Sequence, residues 1–234
     1  MIKQRGIDKI PSGIPGFDEI SDGGFVRNSI ISLSGGVGAG KTIFGMQFLY
    51  NGITENNENG MYVCFEETKK SMYRNMLKLG WNLKTLEDSQ KLTYLAYPPH
   101  EVDLFFDQED TLINLIDKFA VSRVVFDTVT ILGMHFDTKR ARKEGMLKFI
   151  DKLRKWGCTS LLISETHDYP NIAKSIESLA DTVVHLYNIR DKGNRKRGIE
   201  IIEMRGSKHS TSIHPFTIGS EGIEIDANSV LEVE

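Results

Sequence analysis

The chain has 234 residues, of which 40% are hydrophobic and 26% charged, with a formal net charge of -3 and a pI of about 6.1. That balance suits one α/β domain over residues 1–234 with a substantial buried core. It excludes bulk basicity as the means of holding nucleic acid or an anionic membrane, so either partner would need a local patch.

In chain order, MIKQRGIDKIPSG shows no apolar segment of a secretory leader. No run approaches the ~18 apolar residues of a membrane span, and a soluble, cytoplasmic protein with no membrane partner is expected. SIISLS (29–34) is a short apolar strand that runs into glycines, and TIFGMQFLYNGI (42–53) has helical spacing. GMYVCFE (60–66) reads as a buried strand, and KKSMYRNMLKLG (69–80) as an amphipathic helix stopped by Gly80. LTYLAY (92–97) is a third strand, TLINLIDKFA (111–120) a helix and RVVFD (123–127) a fourth strand. In KEGMLKFIDKLRKWG (143–157), Met146, Phe149, Ile150, Leu153 and Trp156 share one helical face. SLLISE (160–165) is a fifth strand, and 167–180 reads as a long connection, a mobile loop with a short helix. Past residue 180 the pattern changes to two hairpins, one turning at DKGN and one at GSEG. The fold class is therefore α/β, a mostly parallel sheet covered by helices on both faces, with C-terminal antiparallel hairpins. Cys64 and Cys158 lie in or beside apolar runs and read as buried thiols, without the spacing of a zinc site.

The first strand leads into GGVGAGKT (35–42), which fits G-x-x-x-x-G-K-[ST] with a strand before it and a helix after it. Glycines let successive backbone N–H groups turn inward, and with the helix N-terminus these hold phosphate oxygens. The nucleotide-contacting set is Gly35, Gly36, Val37, Gly38, Ala39, Gly40, Lys41, Thr42 and Ile43. Lys41 supplies a charge for the β- and γ-phosphates, and Thr42 a hydroxyl for Mg²⁺. Asp127, closing an apolar strand, is the expected carboxylate of the Mg²⁺ site. Glu66 and Glu67 fall at the carboxyl end of another apolar strand, the edge where open parallel sheets bind ligands. Glu66 is read as the group that orients the attacking water, with Glu67 supporting it or the Mg²⁺ shell. Near the fifth strand's end, Glu165 or Thr166 is a weaker candidate for sensing the γ-phosphate.

Residues 13–52, 60–81, 123–130 and 203–218 together resemble one KaiC-type domain of the RecA superfamily, the single-domain form common in archaea. The P-loop alone gives only an NTPase; the paired glutamates and the MRGS-x-H segment narrow it. The resemblance implies a RecA-like P-loop NTPase, ATP with Mg²⁺, and a homo-oligomer, a hexamer, with nucleotide between subunits. It also implies that Arg205 and His209 reach the γ-phosphate of the neighbouring subunit, with Met204 and Ser207 beside them. Glu203 departs from the lysine usual there: either it turns away and pairs with a basic residue, or Lys208 takes the missing role, or, as favoured here, the site binds ATP and hydrolyses it poorly. Where the clock protein of this group phosphorylates adjacent Ser and Thr, this chain has Glu177 and Ser178, so autokinase activity is not expected. Two functions follow: a regulatory ring ATPase that acts on an unidentified protein partner, or a DNA-binding recombination accessory ATPase like the RadA paralogues. The basic segments RDKGNRKR (190–197) and KRARK (139–143) are the candidates for DNA contact, against the simpler reading of solvated faces.

Overall fold

The computed structural model describes residues 7–232; the first six residues of the stretch read for a leader lie outside them. The chain begins with β1 (Lys9–Ile10), α1 (Phe17–Ile20) and β2 (Phe25–Val26), then β3 (Ile30–Gly35) and α2 (Lys41–Asn56). Next come β4 (Asn59–Cys64), α3 (Lys69–Leu77), α4 (Leu83–Asp88), β5 (Leu92–Ala96), α5 (Val102–Asp107) and α6 (Glu109–Lys118). They are followed by β6 (Val121–Asp127), α7 (Val129–Met134), α8 (Lys139–Trp156), β7 (Thr159–Glu165) and α9 (Pro170–Glu177). The chain then closes with β8 (Thr182–Asp191), β9 (Asn194–Met204), β10 (His214–Gly219) and β11 (Gly222–Ile225).

The main sheet is nine-stranded, in the order β11-β10-β9-β8-β3-β7-β6-β4-β5. From β8 to β5 neighbouring strands run parallel, and β9, β10 and β11 extend it antiparallel. Each central strand is buried along nearly all of its length because both of its faces are covered. Ile31 and Leu33, Val125, Leu161 and Ile163 point into one apolar cluster, with α2 residues Phe44, Phe48 and Leu49. Ile30, Val124, Phe126 and Leu162 point into the other, with Phe105, Leu112, Phe149, Leu153 and Ile176 from α5, α6, α8 and α9. Burying one such side chain fully contributes about 2 kcal/mol, and the two-residue period of a strand divides that gain between two layers.

The hairpin of β8 and β9 turns at Lys192 (φ 46) and Gly193 (φ 89), between the paired Asp191 and Asn194. Two successive left-handed residues make the tight turn that matches strand twist. The α3 helix ends at Leu77 and not at Gly80; Gly80 (φ 78) closes the turn after it, where Trp81 N–H donates to the Met76 carbonyl at 3.1 Å. The connection at 167–180 carries α9; Ile172, Ala173 and Ile176 are buried, and Ile172 and Ile176 join the second cluster. It is thus a packed element rather than a loose loop. Cys64 and Cys158 are buried and unpaired, and burial pushes the Cys158 thiol up to about 12. Among the described residues no helix is long and apolar enough to cross a membrane.

Candidate functional site

The carboxyl ends of β3, β4, β6 and β7 gather the chemistry. The loop between β3 and α2 turns at Gly38 (φ 71) and Gly40 (φ 100), conformations that residues with a Cβ rarely adopt. A Cβ on Gly35 would meet the Leu186 carbonyl oxygen at 2.5 Å, whereas Gly36 faces open space. Ala39 is buried, and Val37 stands exposed at the loop tip. Ile43 packs on the first apolar cluster from the opening turn of α2. Lys41 Nζ donates to the carbonyls of Gly35 (2.8 Å) and Gly36 (2.9 Å) and to Glu165 Oε2 (2.8 Å). Three acceptors therefore hold the cation at the place where phosphate oxygens would compete for it.

Thr42 Oγ1 donates to Asp127 Oδ2 at 2.8 Å, and the Tyr62 hydroxyl donates to the same oxygen at 2.6 Å. Burial pushes the Asp127 carboxyl above its ordinary value; the hydrogen bonds from Tyr62 and Thr42, then the charge of Lys41, act in the opposite direction. A carboxylate and a hydroxyl are hard oxygen donors, the kind Mg²⁺ takes alongside water and phosphate. With Lys41 beside this donor set, the residues present fit a Mg²⁺-nucleotide.

Glu66 and Glu67 follow β4 in a turn. Phe65 N–H still donates to the Asp127 carbonyl at 2.8 Å, which fixes that turn against β6. Glu66 is exposed at the mouth of the site. Desolvation by the wall behind it, then the charges of Asp127 and Glu165, push its carboxyl up, while Lys41 pulls it down. Glu67 is tied back: its Oε1 accepts from Ser71 Oγ (2.6 Å) and Asn75 Nδ2 (2.8 Å) of α3.

The 204–209 segment is elsewhere. In register, Gly35 lies opposite Leu186 and Ile31 opposite Thr182, while Thr182 pairs with Met204. The turn after Met204 therefore sits at the edge where β3 begins, roughly 13 Å along the strands from Gly35. Met204 is buried in the first cluster. Ser207 N–H closes the turn on the Met204 carbonyl at 3.2 Å. Arg205 is half-exposed; its Nε donates to Glu203 Oε1 at 2.9 Å and its Nη1 lies 3.9 Å from Asp181. His209 donates from Nδ1 to the Ser210 carbonyl at 2.8 Å. Within one chain Arg205 and His209 do not meet the phosphate loop.

Sequence reasoning did not name Tyr62 or Asn188 for the site, and it offered Glu165 as a γ-phosphate sensor and Arg197 as a DNA contact, not as partners of the phosphate loop. Tyr62 holds Asp127, and Glu165 holds Lys41. Asn188 Nδ2 donates to the Val37 carbonyl (3.1 Å) and Arg197 Nε to the Gly38 carbonyl (3.3 Å), so the β8–β9 hairpin braces the tip of the phosphate loop. One signal was readable: Tyr62, Cys64 and Glu66 share the two-residue phase of one strand face. Four more basic residues of that hairpin and of 139–143 have partners close by. Arg195 donates to the Asn188 carbonyl, Lys196 pairs with Asp191, Arg140 with Glu144, and Arg142 with the Gly133 carbonyl. A cleft of about 630 Å³ lies between α5 and α8, lined by Phe106, His135, Phe136 and Glu144; none of the predicted site residues lines it.

Comparison with known proteins gives a consistent result. The family of ATPases described as KaiC matches residues 10–230. The circadian clock oscillator protein KaiC of Thermosynechococcus vestitus is 37% identical over 229 residues, covering 94% of this chain and 44% of that protein. Its counterpart in Synechococcus elongatus is 35% identical over 233 residues, covering 95% and 45%. The chain thus spans less than half the length of these curated relatives. The crystal structure of a KaiC-like protein from the hyperthermophilic archaeon Pyrococcus horikoshii OT3 superposes with a TM-score of 0.85 at 30% identity, covering 94% of this chain and 99% of that one.

Proposed function

The chain belongs to the KaiC family of ATPases and has its RecA-like P-loop fold, and from that premise we propose that it binds ATP with Mg²⁺ and hydrolyses it slowly between two copies of itself, as a cytoplasmic regulatory ATPase acting on a protein partner. One observation carries the reading. Lys41, Thr42, Asp127 and Glu66 gather at one edge of the sheet, while Arg205 and His209 sit at the opposite edge.

In this proposal the backbone N–H groups of 36–40 and the start of α2 bind the phosphates. Lys41 exchanges the Gly35 and Gly36 carbonyls and Glu165 for β- and γ-phosphate oxygens. Thr42, by its hydroxyl released from Asp127, and Asp127, by its carboxylate, would hold the metal. Mg²⁺, when bound, neutralises charge that develops on the phosphates. Glu66 orients the attacking water and accepts its proton, a task that a raised carboxyl suits. Glu67, held by Ser71 and Asn75, keeps the turn in place. Arg205 and His209 of the neighbouring copy complete the site, since a guanidinium matches the oxygens of a phosphate. Glu203 competes with that phosphate for Arg205, which is the source assigned to slow turnover. Replacing Glu203 with Lys is expected to raise turnover several-fold; unchanged ATP affinity and turnover would remove the assignment.

Molar mass by light scattering on a sizing column, with Mg²⁺ and a non-hydrolysable ATP analogue, tests the whole. A single species near six subunits is expected. A monomer indifferent to nucleotide would leave Arg205 with no phosphate to reach and sink the proposal. A broad, concentration-dependent distribution would move the weight to an open filament and the DNA-linked function.

A further inference from the structure

Asp127 has two donors on one oxygen. The Thr42 hydroxyl is the donor that the proposed mechanism takes away, because it turns to the metal. The Tyr62 hydroxyl is the donor that stays. It belongs to β4, whose Cys64 lies directly opposite Asp127, so Tyr62 is the diagonal neighbour on the same face, and its ring spans the step along the strand. The ring has no freedom to leave. It is 0% exposed, stacks on Tyr94 at 5.6 Å with the ring planes 3° apart, and belongs to the first apolar cluster. The result is a fixed O–H, 2.6 Å from Oδ2 of a buried carboxylate.

A buried carboxylate that loses its last donor is free to rotate away from the orientation a metal needs. We propose that Tyr62 is a positioning residue for the Mg²⁺ site, the donor that would keep the Asp127 carboxylate oriented once Thr42 had moved to the metal. This rests on the nucleotide reading above. A phenylalanine would fill the same space without the hydroxyl, so packing does not require a tyrosine at this position. The partner of a metal-site carboxylate commonly sets metal affinity by 10–100-fold.

The test is binding, with no turnover involved. MgCl₂ is titrated into the full chain with a fluorescent, non-hydrolysable N-methylanthraniloyl ATP analogue, for wild type, Tyr62→Phe and Tyr94→Phe. Tyr62→Phe is expected to need about tenfold more Mg²⁺ while binding the metal-free analogue as wild type does. Tyr94→Phe removes the neighbouring hydroxyl and should leave the Mg²⁺ midpoint where it was. A wild-type midpoint for Tyr62→Phe would overturn the inference, as would equal shifts in both variants, which would mean packing alone. A further readout needs no variant. The ¹³C-labelled Cζ resonance of Tyr62 should move when Mg²⁺ is added to the analogue-bound wild type, and a resonance that stays put would overturn the inference. Nucleotide binding by wild type that ignores Mg²⁺ would be a different failure, one that removes the metal reading itself and the role of Tyr62 with it.

Discussion

Glu66 and Glu67 are adjacent and chemically identical, and the fold gives them different surroundings. Glu67 is bound by two side chains of α3, while Glu66 opens toward Lys41, Asp127 and Glu165. Glu66→Gln should therefore retain ATP affinity and lose turnover by about 100-fold, within the usual range for a general base. Glu66 works as a base only when ionised, and its carboxyl is raised. Wild-type turnover should then climb with pH through a limb lying above 4.5, the ordinary value for a glutamate, and Glu66→Gln should lack that limb. Rate against pH for both proteins checks it; equal losses for Glu66→Gln and Glu67→Gln would contradict the division of roles. At this scale the sequence shows what is local. The phosphate loop, Asp127 and Glu66 are set by spacing along a few residues. Tyr62 and Asp127 are 65 residues apart, and Asn188 and Val37 are 151 apart; only strand register brings each pair together, and no local pattern encodes it. Arg123 is the plainest case. It begins an apolar strand and looks solvated, yet it is buried, donating to the carbonyls of Phe48 and Pro11 at 2.9 Å and pairing with Glu58. The room for it comes from Gly52, whose Cβ would meet its Nε at 2.5 Å.

Among the elements, strands and long helices were legible because their apolar periods are strong. The short α4, α5 and α7 were not, since six residues hold too few apolar positions to show a period. The α9 helix shows what fixes a connecting segment. Glu177 Oε1 accepts from Ser34 Oγ at 2.9 Å and lies 2.9 Å from His185 Nε2, which pins α9 to β3 and β8. The hydrogen bond with His185 is the main cause that pulls the Glu177 carboxyl below its ordinary 4.5. A depressed carboxyl stabilises the fold fully above its unfolded value and loses that stabilisation as pH falls through its folded value. Glu177→Gln should thus cost about 1–2 kcal/mol at pH 7, with the gap to wild type closing below about pH 4.5. Urea unfolding at several pH values measures it, and a gap independent of pH would show that the charge contributes nothing.

For the whole molecule, the placement of Arg205 predicts complementation. Lys41→Ala and Arg205→Ala should each abolish most turnover when pure. Mixed in equal amounts and reassembled, they should recover about a quarter of the wild-type rate, because an intact loop then meets an intact arginine at random across a head-to-tail interface. No recovery would place the arginine's action within its own chain. The same opposition of edges has a kinetic signature. On the proposed arrangement a lone subunit would carry half of each of two different sites and a whole copy of neither. Under dilution below the assembly concentration, the rate should then fall more steeply than in proportion to protein concentration. The cell would then set ATP consumption through how much of this protein it makes, before any partner acts.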